Sequence, residues 1–182
     1  MTAGAILAGG RSRRFGSDKA RALLDGDTFL ARVAGALQGA GLSPVYVVGG
    51  GAADLPTGTT HLPDRFPGEG PLGGVLTALL AHDGDVIVTA CDMPRLQTAA
   101  VARLLEFAAP EPVSLAIWRG AYQPLFALYR RAAALSLAED FAAGERSLLN
   151  ALAHLPLREV PFADEDLSLT NVNRPEDLAG CP

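Results

Sequence analysis

Short, continuous apolar runs recur along this chain, and between them apolar residues return every three or four positions. Ala3–Leu7 (AGAIL), Pro44–Val48 (PVYVV) and Asp85–Cys91 (DVIVTAC) are such runs. Each predicts a strand covered on both faces. Leu30, Val33, Ala34 and Leu37 share one helical face and predict a helix that Gly39 and Gly41 end. A second helix starts at Pro71, whose missing N–H costs nothing at a first helical position, and aligns Leu72, Val75, Leu76 and Leu79. A third opens at Thr98 and carries Val101, Leu104, Leu105 and Ala108. Val113–Trp118 and Leu125–Leu128 read as strands paired across Arg119-Gly120. Helical stretches over about 130–142 and 147–153 and a last strand, Leu157–Phe162, follow.

This alternation predicts an α/β fold with a mostly parallel sheet, helices on both faces and an antiparallel element at or near the sheet edge. The chain of 182 residues reads as one domain, whose pattern changes near residue 110 to give halves of about 1–110 and 111–182. No apolar run approaches the roughly 18–20 residues of a membrane span. The N-terminal MTAGAILAGG lacks the basic flank and apolar length of a signal peptide. The expectation is a soluble, cytoplasmic protein with no membrane partner. Cys91 and Cys181 are too few for a disulfide framework, and His61, His82 and His154 are scattered singly.

Charge sharpens the picture. The net charge of −5 argues against a nucleic-acid partner. Residues 1–24, however, hold five cations (Arg11, Arg13, Arg14, Lys19 and Arg21) against one acid, Asp18. A compact positive site on an acidic body suits a small polyanion better than a polymer. Lys19 is the chain's one lysine beside fourteen arginines. Arginine binds phosphate oxygens in a fork, whereas lysine is a point charge, so position 19 reads as one that arginine does not fill.

In such sheets ligands bind beyond the carboxyl ends of the strands. Residues 8–20, 63–71 and 91–95 leave those ends and are expected to meet. Gly9 and Gly10 would let backbone amides approach phosphate oxygens. Neither G-x-x-x-x-G-K-[ST] nor G-x-G-x-x-G is satisfied, so P-loop and dinucleotide chemistry both lose ground. Asp92 follows the strongest strand, where a carboxylate can hold Mg²⁺ against phosphate oxygens; a helix cap is its bland alternative. Asp64 stands in a Gly/Pro-rich loop, where a nucleoside contact and plain turn chemistry explain it equally.

Leu7-Ala8-Gly9-Gly10-Arg11-Ser12-Arg13-Arg14-Phe15-Gly16-Ser17-Asp18-Lys19 resembles the LAGGxSxRMGxDK signature of the molybdenum cofactor guanylyltransferases, with Phe15 for Met. Gly70-Pro71-Leu72-Gly73-Gly74 is similar to their GPLxG, Cys91-Asp92-Met93-Pro94 to CDxP, and Pro124-Leu125 to Tyr129 to PLxALY. Asn171-Val172-Asn173-Arg174-Pro175-Glu176-Asp177-Leu178 is similar to the closing NVNxPEEL. The resemblance implies a Rossmann-like, three-layer nucleotidyltransferase fold. It also implies transfer of GMP from GTP to the molybdenum-molybdopterin cofactor, with Mg²⁺ as cofactor and pyrophosphate as co-product. By motif position Leu7, Ala8, Gly9, Gly10, Lys19, Asp64 and Asp92 would bind GTP, with Asp92 also on the metal. Arg14, Lys19 and Asp92 would be catalytic. Arg119, Asn171 and Asn173 would face the pterin. The family's Asn after the second strand falls here at Val48 or Gly49, so that contact is missing or made by backbone. Cofactor-delivery proteins or apoenzymes would be downstream partners. A CTP-dependent or other nucleotide:phosphate transferase is the rival reading, and a non-catalytic nucleotide-binding protein a more distant one.

Overall fold

The computed structural model describes residues 1–9, 19–173 and 177. Its centre is β1 (Ala3–Leu7), buried along its whole length. Small residues make that burial possible: a Cβ on Gly4 would stand 3.0 Å from Leu37 Cδ1 of the overlying helix. That helix, α1 (Phe29–Gly39), follows a two-residue hairpin of β2 (Leu23–Leu24) and β3 (Asp27–Thr28). Thr28 caps it by accepting the Ala31 N–H at 3.1 Å. Gly41, with φ of +81°, ends it. The Leu42 N–H reaches the Leu37 carbonyl and the Gly41 N–H the Gln38 carbonyl, a Schellman closure that only a left-handed residue allows.

The chain then forms β4 (Val45–Val48) and β5 (Thr59–Leu62), crosses through α2 (Gly70–Ala81) and enters β6 (Val86–Ala90). Next come α3 (Thr98–Glu106), β7 (Val113–Trp118), β8 (Ala121–Tyr129), α4 (Ala133–Ala142), α5 (Leu148–Leu152) and β9 (Leu157–Pro161). The strands form one seven-stranded sheet in the order β5-β4-β1-β6-β8-β7-β9. β8 runs against both of its neighbours, and the other pairings are parallel. The antiparallel hairpin is therefore present, but its reversed strand lies inside the sheet. The chain returns through α4 and α5 and adds β9 beyond β7, so β9 becomes the edge.

Two apolar layers sandwich the sheet. One packs Val33, Ala34 and Leu37 of α1 with Val101 and Leu104 of α3 against Ile6, Val47 and Ile87. The other packs Leu72, Val75, Leu76 and Leu79 of α2 with Leu137 of α4 against Ala5, Val48 and Val88. Burying each such Leu or Val stabilises the fold by about 1.5–3 kcal/mol. Among the described residues no helix is long and apolar enough to cross a membrane.

β5 is absent from the apolar pattern. Its sequence, TTHL, is polar and only partly buried because it pairs on one side alone.

Candidate active site

Strand order reverses at β1, which has β4 on one side and β6 on the other. β1, β4, β5 and β6 are mutually parallel, so all four carboxyl ends open on one edge. The crevice beyond such a reversal is where an open α/β sheet receives ligands.

The ladders continue past the strands and draw the loops together. The Ala8 N–H donates to the Val48 carbonyl at 2.9 Å, the Gly49 N–H to Leu62 at 3.0 Å, and the Cys91 N–H to Leu7 at 3.2 Å. Leu7 is nearly buried, and Ala8 and Gly9 emerge from it into the crevice. Gly49 and Gly50 adopt φ of +72° and +64°. A Cβ on Gly49 would meet Gly9 Cα at 3.2 Å, Gly9 N at 3.4 Å and Asp64 Cβ at 3.7 Å. The position after the second apolar strand is thus filled from two sides: Val48 is buried in the sheet, and Gly49 lets two loops touch. Any contact from here to a ligand is made by backbone.

Gly10 and Arg14 lie outside the described residues. Lys19 opens a single 3₁₀ turn, Lys19–Arg21. Ala20 buries itself in the α1-side core and pins that turn. Arg21 pairs with Asp54 of the glycine loop at 3.2 Å, tying the turn to the end of β4. Between them lies a cavity of about 180 Å³ lined by Ala8, Arg21, Thr28, Val47, Gly50 and Asp54.

Asp64 is built into its loop from one side. Its Oδ1 accepts the Phe66 N–H at 2.9 Å and the Thr77 hydroxyl at 3.1 Å. Thr77 is fully buried in α2; its oxygen also accepts the Arg65 N–H at 3.1 Å and approaches the Gly73 carbonyl at 2.9 Å. Asp64 is therefore both a turn residue and a fixed carboxylate, and the two readings of it do not compete. Gly73 lets α2 close on this loop and Gly74 lets it close on β1: a Cβ on Gly73 would stand 2.9 Å from Phe66 Cβ, and one on Gly74 3.0 Å from Leu7 Cδ1.

Asp92 sits two residues past β6, half-buried, and its backbone carbonyl accepts the Val172 N–H at 2.8 Å. That bond delivers the C-terminal segment to the crevice. Val172 is fully buried while Asn171 and Asn173 on either side are exposed. The Asn173 N–H donates to Asp177 Oδ2 at 2.7 Å.

Arg119 lies further out. It and Gly120 form the two-residue turn between β7 and β8, with φ of +51° and +70° as a type I′ hairpin needs. Its Nε donates to the Asp164 carbonyl at 3.1 Å, and its guanidinium lies 4.2 Å over the Trp118 ring. β7 is two strands from β6, about 10 Å at ordinary strand spacing. The structure thus gathers Leu7, Ala8, Gly9, Asp64, Asp92, Asn171 and Asn173 around one edge, and sets Arg119 along it.

Asp92 offers hard carboxylate oxygens of the kind that divalent cations take together with substrate oxygens and water. Among the described residues no group of three or more His, Cys, Asp or Glu stands together. Thr77 and the loop-to-loop approach at Gly49 are contributions that the sequence reading missed. A lone threonine in an otherwise apolar helix, GPLGGVLTALLA, was the available signal for the first.

A family model described as the MobA-like NTP transferase domain matches residues 4–156. A molybdenum cofactor guanylyltransferase of Pseudomonas putida (strain GB-1) is 32% identical, with 96% of this chain and 94% of that protein aligned. A probable molybdenum cofactor guanylyltransferase of Deinococcus radiodurans is 41% identical over 96% of this chain and 91% of its own length. The crystal structure of molybdopterin-guanine dinucleotide biosynthesis protein A from Archaeoglobus fulgidus superposes with a TM-score of 0.76 at 25% identity, covering 98% of this chain and 95% of that one.

Proposed function

The chain belongs to the MobA-like NTP transferase family, and from that premise we propose that it is a molybdenum cofactor guanylyltransferase. It moves GMP from GTP to the terminal phosphate of the molybdenum-molybdopterin cofactor and releases pyrophosphate. The observation that carries this reading is the convergence of Ala8–Gly9, Gly49, Asp64 and Asp92 at the carboxyl edge of four parallel strands.

In this reading the chain divides its labour. The half over about 1–110 holds the nucleotide: Gly9 and Gly10 offer backbone N–H groups to the phosphates, Leu7 and Ala8 line the GTP site, and Asp64 takes the nucleoside side. Arg14 and Lys19 draw charge off the departing pyrophosphate. Oxygen of the pterin phosphate attacks the α-phosphorus in line; its new P–O bond forms as the bond to the β-phosphate oxygen breaks, and pyrophosphate carries that electron pair away. No covalent enzyme intermediate is needed, so positioning and charge neutralisation supply the rate. Mg²⁺, held by Asp92 and phosphate oxygens, would supply Lewis-acid neutralisation of the triphosphate when bound. The half over about 111–182 shapes the acceptor pocket with Asn171, Asn173 and, further along the edge, Arg119. The enzyme is cytoplasmic in this proposal and hands its product to delivery proteins or apoenzymes. Pyrophosphate release from GTP that requires the pterin tests the assignment. Release without the pterin, or tight GTP binding with none, would favour hydrolysis or a non-catalytic role.

A further inference from the structure

Glu69 occupies the N-cap of α2 but makes no side-chain cap bond there. Its carboxylate instead accepts a hydrogen bond from Arg146 Nε, 77 residues away in the turn between α4 and α5. Arg146 is itself held in place. Its Nη1 donates to the Phe141 carbonyl at 2.7 Å and the Glu145 carbonyl at 2.8 Å, and its guanidinium lies 4.0 Å over the Phe141 ring. The Glu145 side chain fixes the turn from below. It accepts the Ser147 and Arg146 N–H groups, each at 2.7 Å, and Asn150 Nδ2 at 3.1 Å. Those bonds, the Ser147 N–H foremost, keep its carboxyl below the ordinary glutamate value.

From Phe141 the contacts run on into the crevice. Its ring packs against Phe66 at 4.7 Å, and the Phe66 N–H is the donor that fixes Asp64 Oδ1 at 2.9 Å. Arg146 therefore grips the loop over 64–70 at both ends, through Glu69 at one and the tilted Phe141–Phe66 ring contact at the other.

We propose that Arg146 is a positioning residue for Asp64, by which the acceptor half of the chain sets the nucleotide-side loop. The inference rests on Asp64 serving the nucleotide. An isolated surface ion pair would contribute little and would be indifferent to Lys for Arg. A planar guanidinium that stacks and donates in several directions has no such substitute.

The test compares the full-length Arg146→Ala, Arg146→Lys, Glu69→Gln and Asp64→Asn variants. Arg146→Ala is expected to raise the GTP KM about three- to tenfold with kcat within about twofold of the parent. Glu69→Gln and Arg146→Lys should give intermediate KM values. Amide exchange should quicken over 64–70 in Arg146→Ala while β6 exchanges as before. An unchanged GTP KM in Arg146→Ala, with Asp64→Asn impaired, overturns the positioning role alone. Faster exchange throughout the sheet, with KM and kcat moving together, also overturns it by making Arg146 a general stabiliser. An unimpaired Asp64→Asn removes the nucleotide role of Asp64 and this inference with it.

Discussion

Gly9 and Gly49 bring the first and second strand-end loops into backbone contact, leaving only 3.2 Å between Gly9 Cα and a Cβ built at position 49. Neither atom belongs to a flexible side chain, so neither can swing away. Gly49→Ala adds that clash to the cost of a φ of +72°. It is expected to cost about 1–3 kcal/mol of stability and to raise the GTP KM. Urea unfolding and steady-state kinetics check both.

Thr77 fixes Asp64 from inside α2, and Thr77→Val keeps its shape while removing the hydroxyl. The Arg65 N–H and Asp64 Oδ1, both at a part-buried position, each lose a partner. A loss of about 1–2 kcal/mol is expected, with a higher GTP KM and a kcat close to the parent's. A GTP titration of the variant beside its unfolding curve separates these effects.

Lys19 stands at the start of a turn pinned by buried Ala20 and by the Arg21–Asp54 pair. Loss of a charge-assisted phosphate contact, on the order of 1.5–3 kcal/mol, should lower kcat/KM in Lys19→Ala by roughly 10- to 100-fold. Lys19→Arg should fail to restore it if the position is cut for a point charge. Full activity in the arginine variant would make the chain's one lysine incidental.

Asp92→Asn keeps the backbone carbonyl that receives the Val172 N–H, so the fold should survive. Removing the carboxylate charge from a metal shared with phosphates is expected to cost several kcal/mol of transition-state stabilisation, about 100-fold or more in metal-dependent turnover. A magnesium titration of turnover, with circular dichroism for the fold, decides it.

Much of this architecture was legible because β1, β4 and β6 are covered on both faces and so read as plain apolar runs, while α1 and α3 keep one apolar stripe and α2, apolar nearly all round, still opens at a proline. β5 escaped because an edge strand needs no such run. The start of β8, Ala121-Tyr122-Gln123-Pro124, escaped because its residues are exposed or half-buried and Pro124 cannot donate to a ladder. The register there shifts between Leu115 and Ala116, which gives the proline its place. Asp64 and Asp92 were legible as carboxylates after strands or before helices. Thr77 and Arg146 were not, since each matters only through a tertiary approach across 13 or 77 residues. Arg119 was legible as a turn, but not as a side chain already engaged by Trp118 and Asp164.

The most direct measurement supplies the protein with molybdopterin-bound molybdenum, magnesium and, separately, GTP, CTP, ATP and UTP, and identifies the nucleotide in the pterin product. The account predicts a guanine dinucleotide from GTP with one pyrophosphate per product, and no comparable product from the other three. Incorporation of cytidine in place of guanosine, or GTP bound without any transfer to the pterin, would contradict it.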